Sequence, residues 1–340
     1  MISLRRTQVS GQQGRTHRGR CVEQRSQDIR SQGGAWLRNA RRLASTGLIA
    51  SPLCAQEASR PIASQNPSPM VELTRAHERL TPHPRDSVTQ SFSGPAGKPV
   101  DLFVPSQARG RDRFDLVIHF HGASWLAHQA AASVDDRVVT AVVNLGAGSG
   151  GYDRAFSQPA SFDSLLSQIE REVSGSARAT SARHVTLVGF SAGHGAVRAI
   201  LRTPRHFARI QAVILIDGMH TSYIPEGTVL DRGGTIDTTN LVAFAHFARA
   251  AIRGEKRFVV THSEIFPGTF VSTTESADWL LRSVGLKRSP VLRWGPRGTQ
   301  QLSEARARGF ELLGFAGNSA PDHIDQLHAM PELLARVLKP

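Results

Sequence analysis

The stretch of this sequence best suited to covalent chemistry is Gly189-Phe190-Ser191-Ala192-Gly193. A serine hydroxyl is a weak nucleophile at neutral pH and needs an adjacent base. It also needs a backbone bend that lifts it clear of its neighbours. The apolar run 184–190 reads as a β-strand and residues 196–202 as a helix. The two glycines allow a G-x-S-x-G turn between them that is too tight for a Cβ at either position. Amides at the helix start then lie behind the hydroxyl, where they stabilise negative charge. The chemistry this points to is acyl transfer through Ser191. It calls for a histidine to take and return the proton, and for a carboxylate to orient that histidine. It also calls for two N–H donors facing the developing oxyanion, one such donor being worth roughly 3–4 kcal/mol.

The elements that must position these groups follow from the hydrophobic pattern. Residues 88–92 and 100–104 read as strands around the turn Gly94-Pro95-Ala96-Gly97, and 114–120 as a buried strand leading into His121-Gly122-Ala123-Ser124. Further strands are expected at 138–145, 212–216, 258–261 and 310–315. Helices are expected at 161–173, 241–252, 274–284 and 331–338, with Ser272 and Thr273 as candidate caps of the third. Residues 220–240 read as a polar loop over the strand ends. Strands alternating with helices predict a mostly parallel central sheet with helices on both faces. Ligands of such sheets bind beyond the carboxyl ends of the strands. Four polar clusters fall there: His121-Gly122-Ala123, Ser191, Asp217 or Glu264, and His323.

With these residues in hand, positions 87–340 resemble an α/β-hydrolase, most similar to serine esterases and lipases. The resemblance rests on His121-Gly122, on Gly189-Phe190-Ser191-Ala192-Gly193, and on a carboxylate followed by a late histidine. It implies Ser191 as nucleophile, a late histidine as base, and the N–H of Ala192 with that of Gly122 or Ala123 as the oxyanion hole. The sequence has His-Gly-Ala-Ser where the family's signature is a run of glycines. The base is a choice between His323 and His328. His323 is preferred because it follows sooner after the last strand. The acid is Asp217 or Glu264: the family most often places it after the strand ending at Thr261, and several lipases one strand earlier. Asp217, directly at a strand end, is preferred. The function implied is hydrolysis of a small-molecule carboxylic ester. An amidase, a peptidase or an acyltransferase would use the same residues. A hydrolase-like binding module without catalysis is the alternative of another class.

The remaining features narrow the reading. Of the net charge of +13, residues 1–60 carry +8, as eleven arginines against Glu23, Asp28 and Glu57. The basic character therefore belongs to a tail, and no nucleic-acid partner is expected. Cys21 and Cys54 both lie in that tail, so the body holds no disulfide, thiolate metal site or cysteine nucleophile. Residues 1–42 read as a disordered Arg-rich extension and 57–86 as a Pro-rich linker. Residues 43–56 read as a signal-peptide core with its cleavage region, after Arg38-Asn39-Ala40-Arg41-Arg42. That run is too short for a stable membrane span. Secretion or a periplasmic location is expected, with a cytoplasmic one as the alternative; if the signal starts near Asn39, residues 1–38 precede the true start. His119 and His121 share a strand face, but no metal motif accompanies them, so no metal and no cofactor is expected. The Gly146-Ala147-Gly148-Ser149-Gly150-Gly151 run lacks the lysine of a phosphate loop and reads as a flexible rim of the cleft.

Overall fold

The computed structural model describes residues 79–83, 87–174 and 180–338. The extension 1–42, the export signal 43–56 and most of the linker 57–86 lie outside the described residues. Within that linker, residues 79–83 dock on the body. Arg79 Nε donates to Asp325 Oδ1 at 2.6 Å, Leu80 N to His328 Nδ1 at 2.9 Å, and His83 N to Gln129 Oε1 at 3.1 Å. The linker reading therefore ends before Arg79, because this stretch satisfies polar groups that would otherwise be buried without partners.

The body is built on β1 (Ser87–Ser93), β2 (Pro99–Pro105), β3 (Arg113–Phe120), β4 (Val139–Val143), β5 (Ser181–Phe190) and β6 (Ile210–Ile216). After the short β7 (Tyr223–Ile224) and β8 (Thr235–Ile236) come β9 (Arg257–His262), β10 (Ser289–Trp294), β11 (Gln300–Ala307) and β12 (Phe310–Phe315). One ten-stranded sheet has the order β1-β2-β4-β3-β5-β6-β9-β12-β11-β10. It is parallel from β4 to β12 and antiparallel at both edges.

Strands of such a sheet are buried on both faces and read as continuous apolar runs, as Val213-Ile214-Leu215-Ile216 does. Alternate residues serve opposite faces. Leu187, Val213, Leu215 and Val260 pack under the helices α2 (Ser149–Phe156), α3 (Pro159–Ser174), α4 (His194–Leu201), α6 (Val242–Arg253) and α7 (Thr273–Val284). Val188, Ile214, Ile216 and Val259 face α1 (Ser124–Val134) and α9 (Met330–Leu338), with α8 (Ala320–His328) just before α9 and the short α5 (Pro204–Arg209) leading into β6. The helix starting at Thr273 is fixed by a capping box in which Ser272 and Glu275 each accept from the other's backbone N–H, and it ends at Gly285 with φ 74°.

Several elements depart from the expectation. The Gly-rich run 146–151 is a loop only up to Gly148, and α2 begins at Ser149. Where α2 meets α4 the glycine that close approach requires is Gly195, whose Cβ would sit 2.2 Å from Ser149 O, whereas a Cβ at Gly146 or Gly148 would meet nothing within 4 Å. Helices α1, α2, α5 and α8 and strands β10 and β11 fall outside the expected elements. Strand β10 is an exposed edge, with Leu292 77% accessible, and β11 turns buried polar residues such as Gln301 and Ser303 inward. Neither carries the apolar signature by which strands are recognised. Residues 220–240, expected as a loop, include the small ladder of β7 and β8 and a bridge from Thr221 to Val271.

Six histidines are buried among the described residues, and four of them are held well below their ordinary pKa. Burial pushes His119 and His194 down to about 3, and His128 and His262 to about 4. They are neutral when folded, whereas the unfolded chain protonates them near 6.5. The unfolded state thus binds more protons below about pH 6.5, and stability must fall as pH falls through that window toward 3. Each group costs on the order of 1 kcal/mol per pH unit there. The thermal unfolding midpoint is expected to drop steadily between pH 7 and pH 5. A flat profile would show that these rings are not held neutral.

Candidate active site

At the end of β5 the chain turns through Ser191, Ala192 and Gly193 into α4. Ser191 has φ 47°, a region residues with a Cβ avoid, at a cost of order 1–3 kcal/mol. Packing holds it there. A Cβ on Gly193 would lie 2.0 Å from Phe120 O, and one on Gly218 would lie 2.5 Å from Ser191 O and 2.6 Å from Ser191 N. The ends of β3, β5 and β6 therefore meet backbone to backbone around the serine. Beneath it, buried His194 donates from Nδ1 to Ser191 O at 2.8 Å.

The carboxylate of Asp217, 2% accessible and just past β6, is saturated with donors. Oδ1 accepts from Ser263 N and from Thr273 Oγ1, each at 2.9 Å. Oδ2 accepts from Ser263 Oγ and His323 Nδ1, each at 2.7 Å. Burial alone would raise its pKa, but the bond and charge of His323, together with the Ser263 donors, hold it down to about 2. An ionised carboxylate only accepts, so Nδ1 of His323 carries a proton, and the neutral form of the ring has its lone pair on Nε2. The His323 ring lies 4.5 Å from Phe190, which precedes Ser191, and Phe190 also stacks at 5.9 Å with His121. Among the described residues no hydrogen bond joins the Ser191 hydroxyl to His323. In ligand-free sites such bonds are often long and tighten only with substrate.

The structure brings Asp217, His323 and the bend at Ser191 together and leaves the other two candidates apart. Glu264 is exposed and joins Gly317 through its backbone, N to O at 2.9 Å, and through its side chain. His328 lies five residues after His323 on α8, about 140° around the helix. Its Nδ1 accepts from Leu80 N, and its ring faces Trp125. Of the candidate oxyanion donors, Ala192 opens the helical turn, where amides lack intrahelical partners. Gly122 N instead donates to Asn144 Oδ1 at 2.9 Å, and Asn144 Nδ2 returns a bond to Gly122 O. That leaves the Ala123 N–H as the loop amide without an acceptor among the described residues.

His121, at φ 70°, is fixed by the Tyr152 hydroxyl, which bonds its Nδ1 at 3.1 Å and accepts from Leu145 N. Sequence reasoning missed Ser263, Thr273, Asn144 and Tyr152. The one available signal was that Asn144 and Ser263 directly follow strands. A cavity of about 400 Å³ opens beside Ser191 and is lined also by Gly148, His194, Arg198, His220 and Phe270. A larger one, about 1030 Å³, lies at the opposite ends of the strands around Asp115, Arg137 and Lys256, away from this chemistry. Among the described residues, no group of three or more His, Cys, Asp or Glu could hold a metal ion, and no helix is long and apolar enough to cross a membrane.

The backbone contact at Gly193 has a measurable consequence. Gly193→Ala should destabilise the protein by about 1–3 kcal/mol or more, because the added methyl meets backbone that cannot yield. Gly148→Ala, whose Cβ would enter open space, should leave the thermal midpoint unchanged. Equal midpoints for the two variants would contradict the packing described.

No protein-family profile matches the chain, and no curated protein matches it in sequence. Among solved structures it is similar to carboxyl esterase 2 of the mycorrhizal fungus Tuber melanosporum, at 12% identity over 76% of this chain and 86% of that one, with a TM-score of 0.42. It is also similar to the esterase Est2 of the planctomycete Thermogutta terrifontis, at 15% identity, 73% and 90% coverage and a TM-score of 0.41. Against a thermostable esterase the identity is 16% and the TM-score 0.37, over 59% of this chain and about half (52%) of that one. The order β1-β2-β4-β3-β5-β6-β9-β12, parallel from β4 onward and bent sharply after β5 into α4, is the α/β-hydrolase fold.

Proposed function

We propose that this chain is a serine esterase in which Ser191, His323 and Asp217 act as one unit. The observation that carries the reading is the Asp217–His323 bond at 2.7 Å beside the strained bend at Ser191. With Nδ1–H held by the carboxylate, His323 Nε2 accepts the Ser191 proton as Oγ attacks the ester carbonyl carbon. The carbonyl π electrons move to oxygen, where the N–H groups of Ala192 and Ala123 receive the charge. As the tetrahedral species collapses, the C–O bond to the alcohol breaks and His323 returns the proton to the leaving oxygen. Water then repeats the sequence on the acyl-enzyme, its proton passing through His323 and back to Ser191. Asp217 stays ionised throughout and stabilises the imidazolium. We further propose that residues 43–56 direct export, and a reporter fused after residue 56 that stays in the cytoplasm would refute that assignment.

Labelling with a fluorophosphonate probe, followed by mass spectrometry of the adduct, tests the central claim. The adduct is expected on Ser191 alone. Ser191→Ala and His323→Ala should reduce hydrolysis of p-nitrophenyl acetate to a similar low residue, since members of one unit are not additive. Asp217→Asn should retain the fold and lose about 10³–10⁴-fold in kcat. Glu264→Gln and His328→Ala should be mild by comparison. Full activity in Ser191→Ala would end the proposal.

A further inference from the structure

We propose that the cavity beside Ser191 selects esters whose inserted group ends in a carboxylate, with Arg198 as the receiving residue; this rests on the hydrolase reading above. The wall of this cavity is unusual for a site taking a plain alkyl group, because a buried guanidinium forms part of it. Arg198 is 7% accessible and lines the cavity. Its Nε donates to Asp153 Oδ2 at 2.7 Å. Its two terminal nitrogens have no partner among the described residues, and they are not sealed from solvent. Five N–H donors in a planar fork, four of them on the two unpartnered terminal nitrogens, match a carboxylate better than any neutral group.

The surrounding charge favours an anion. Asp153 is shared with Arg202, whose Nη1 lies 3.3 Å from both carboxylate oxygens, and Arg154 reaches the Gly150 edge of the same cavity. On the far side Asp237 bonds Asn240, another lining residue. At this wall three guanidinium groups stand against the carboxylates of Asp153 and Asp237, while the ionised Asp217 acts on the His220 side of the cavity, so the preference for an anion is local to Arg198. The two imidazoles in the wall, His194 and His220, add none, because burial lowers both.

The spacing limits the size of the ligand. Arg198 follows Ser191 by seven residues along the bend and α4, about 10 Å at 1.5 Å per residue. Helical side chains lean toward the N-terminus, here toward Ser191. A spacer of about two to four methylenes between the scissile carbonyl and the carboxylate fills the remaining gap. The substrate class is the half-ester of a short dicarboxylic acid.

The test compares kcat/KM of the full chain for monomethyl glutarate and monomethyl adipate with that for the corresponding dimethyl esters. The half-esters should be favoured on the order of tenfold to hundredfold, the range of one charge-assisted hydrogen-bonded pair, chiefly through KM. In Arg198→Gln that ratio should collapse toward unity, and Arg198→Lys should recover part of it. Free glutarate should compete with p-nitrophenyl acetate for the wild-type protein and not for Arg198→Gln. An Arg198 that only ties α2 to α4 would lower the thermal midpoint on substitution and leave the ratio untouched, overturning the proposal. Should Arg198→Gln not fold, the wild-type ratio and glutarate competition decide alone. Hydrolysis of p-nitrophenyl acetate with no half-ester preference and no glutarate competition would sink the subsite and spare the esterase reading. If Ser191 proves unreactive, calorimetric titration of glutarate into the chain still separates the two: binding supports the subsite and no binding refutes it.

Discussion

Taking the Asp217 carboxylate out of water is the costliest single step in building this molecule's reactive end, and the surrounding structure answers it. An isolated buried carboxylate would take up a proton and lose its charge. Here each oxygen receives two donors, supplied by the loop after β9, the first residue of α7 and the fourth residue of α8. Removing any one of these segments would leave a buried lone pair without a partner. The same bonds that keep the group ionised therefore register three elements against the end of β6. They also dictate which nitrogen of His323 bears hydrogen.

A second constraint is steric. Strand ends approach so closely at Ser191 that Gly193 and Gly218 admit no side chain. The serine's strained backbone persists because both neighbours press on it, and relaxing it would open gaps against β3 and β6. Phe190 carries the same constraint into the side chains. Its ring stacks with both His121 and His323, so the loop after β3 and the helix bearing His323 share one aromatic partner.

Much of this was legible in the sequence, for reasons that can be named. The central strands are apolar and continuous because both faces are covered, and the bend at Ser191 is marked by glycines that sterics require. Order alone nominated Asp217 or Glu264 and His323 or His328 after strands, without choosing within either pair. What could not be read is partnership. Nothing in the spacing joins Ser263 or Thr273 to Asp217, since those contacts span 46 and 56 residues. Asn144, which engages Gly122 N–H, is likewise invisible without the fold. The Gly-rich run lines the cavity beside Ser191, as a rim would, but its second half is helix from Ser149, which its glycines conceal in the sequence. Strand β11 and the edge strand β10 escaped because their inward residues are polar or their apolar ones face solvent.

The bond between Asp217 and His323 closes a loop of 106 residues. Such closures form late, because the chain must surrender its freedom over the whole interval before the contact rewards it. Strands β5, β6, β9 and β12 must all be in register before those two side chains can meet. The reactive centre is thus a reporter on the completion of folding: partly assembled chains can hold helices and half the sheet and still lack it. On the proposed mechanism, a cell carrying such intermediates would face little stray reactivity from them, since His323 follows the last strand.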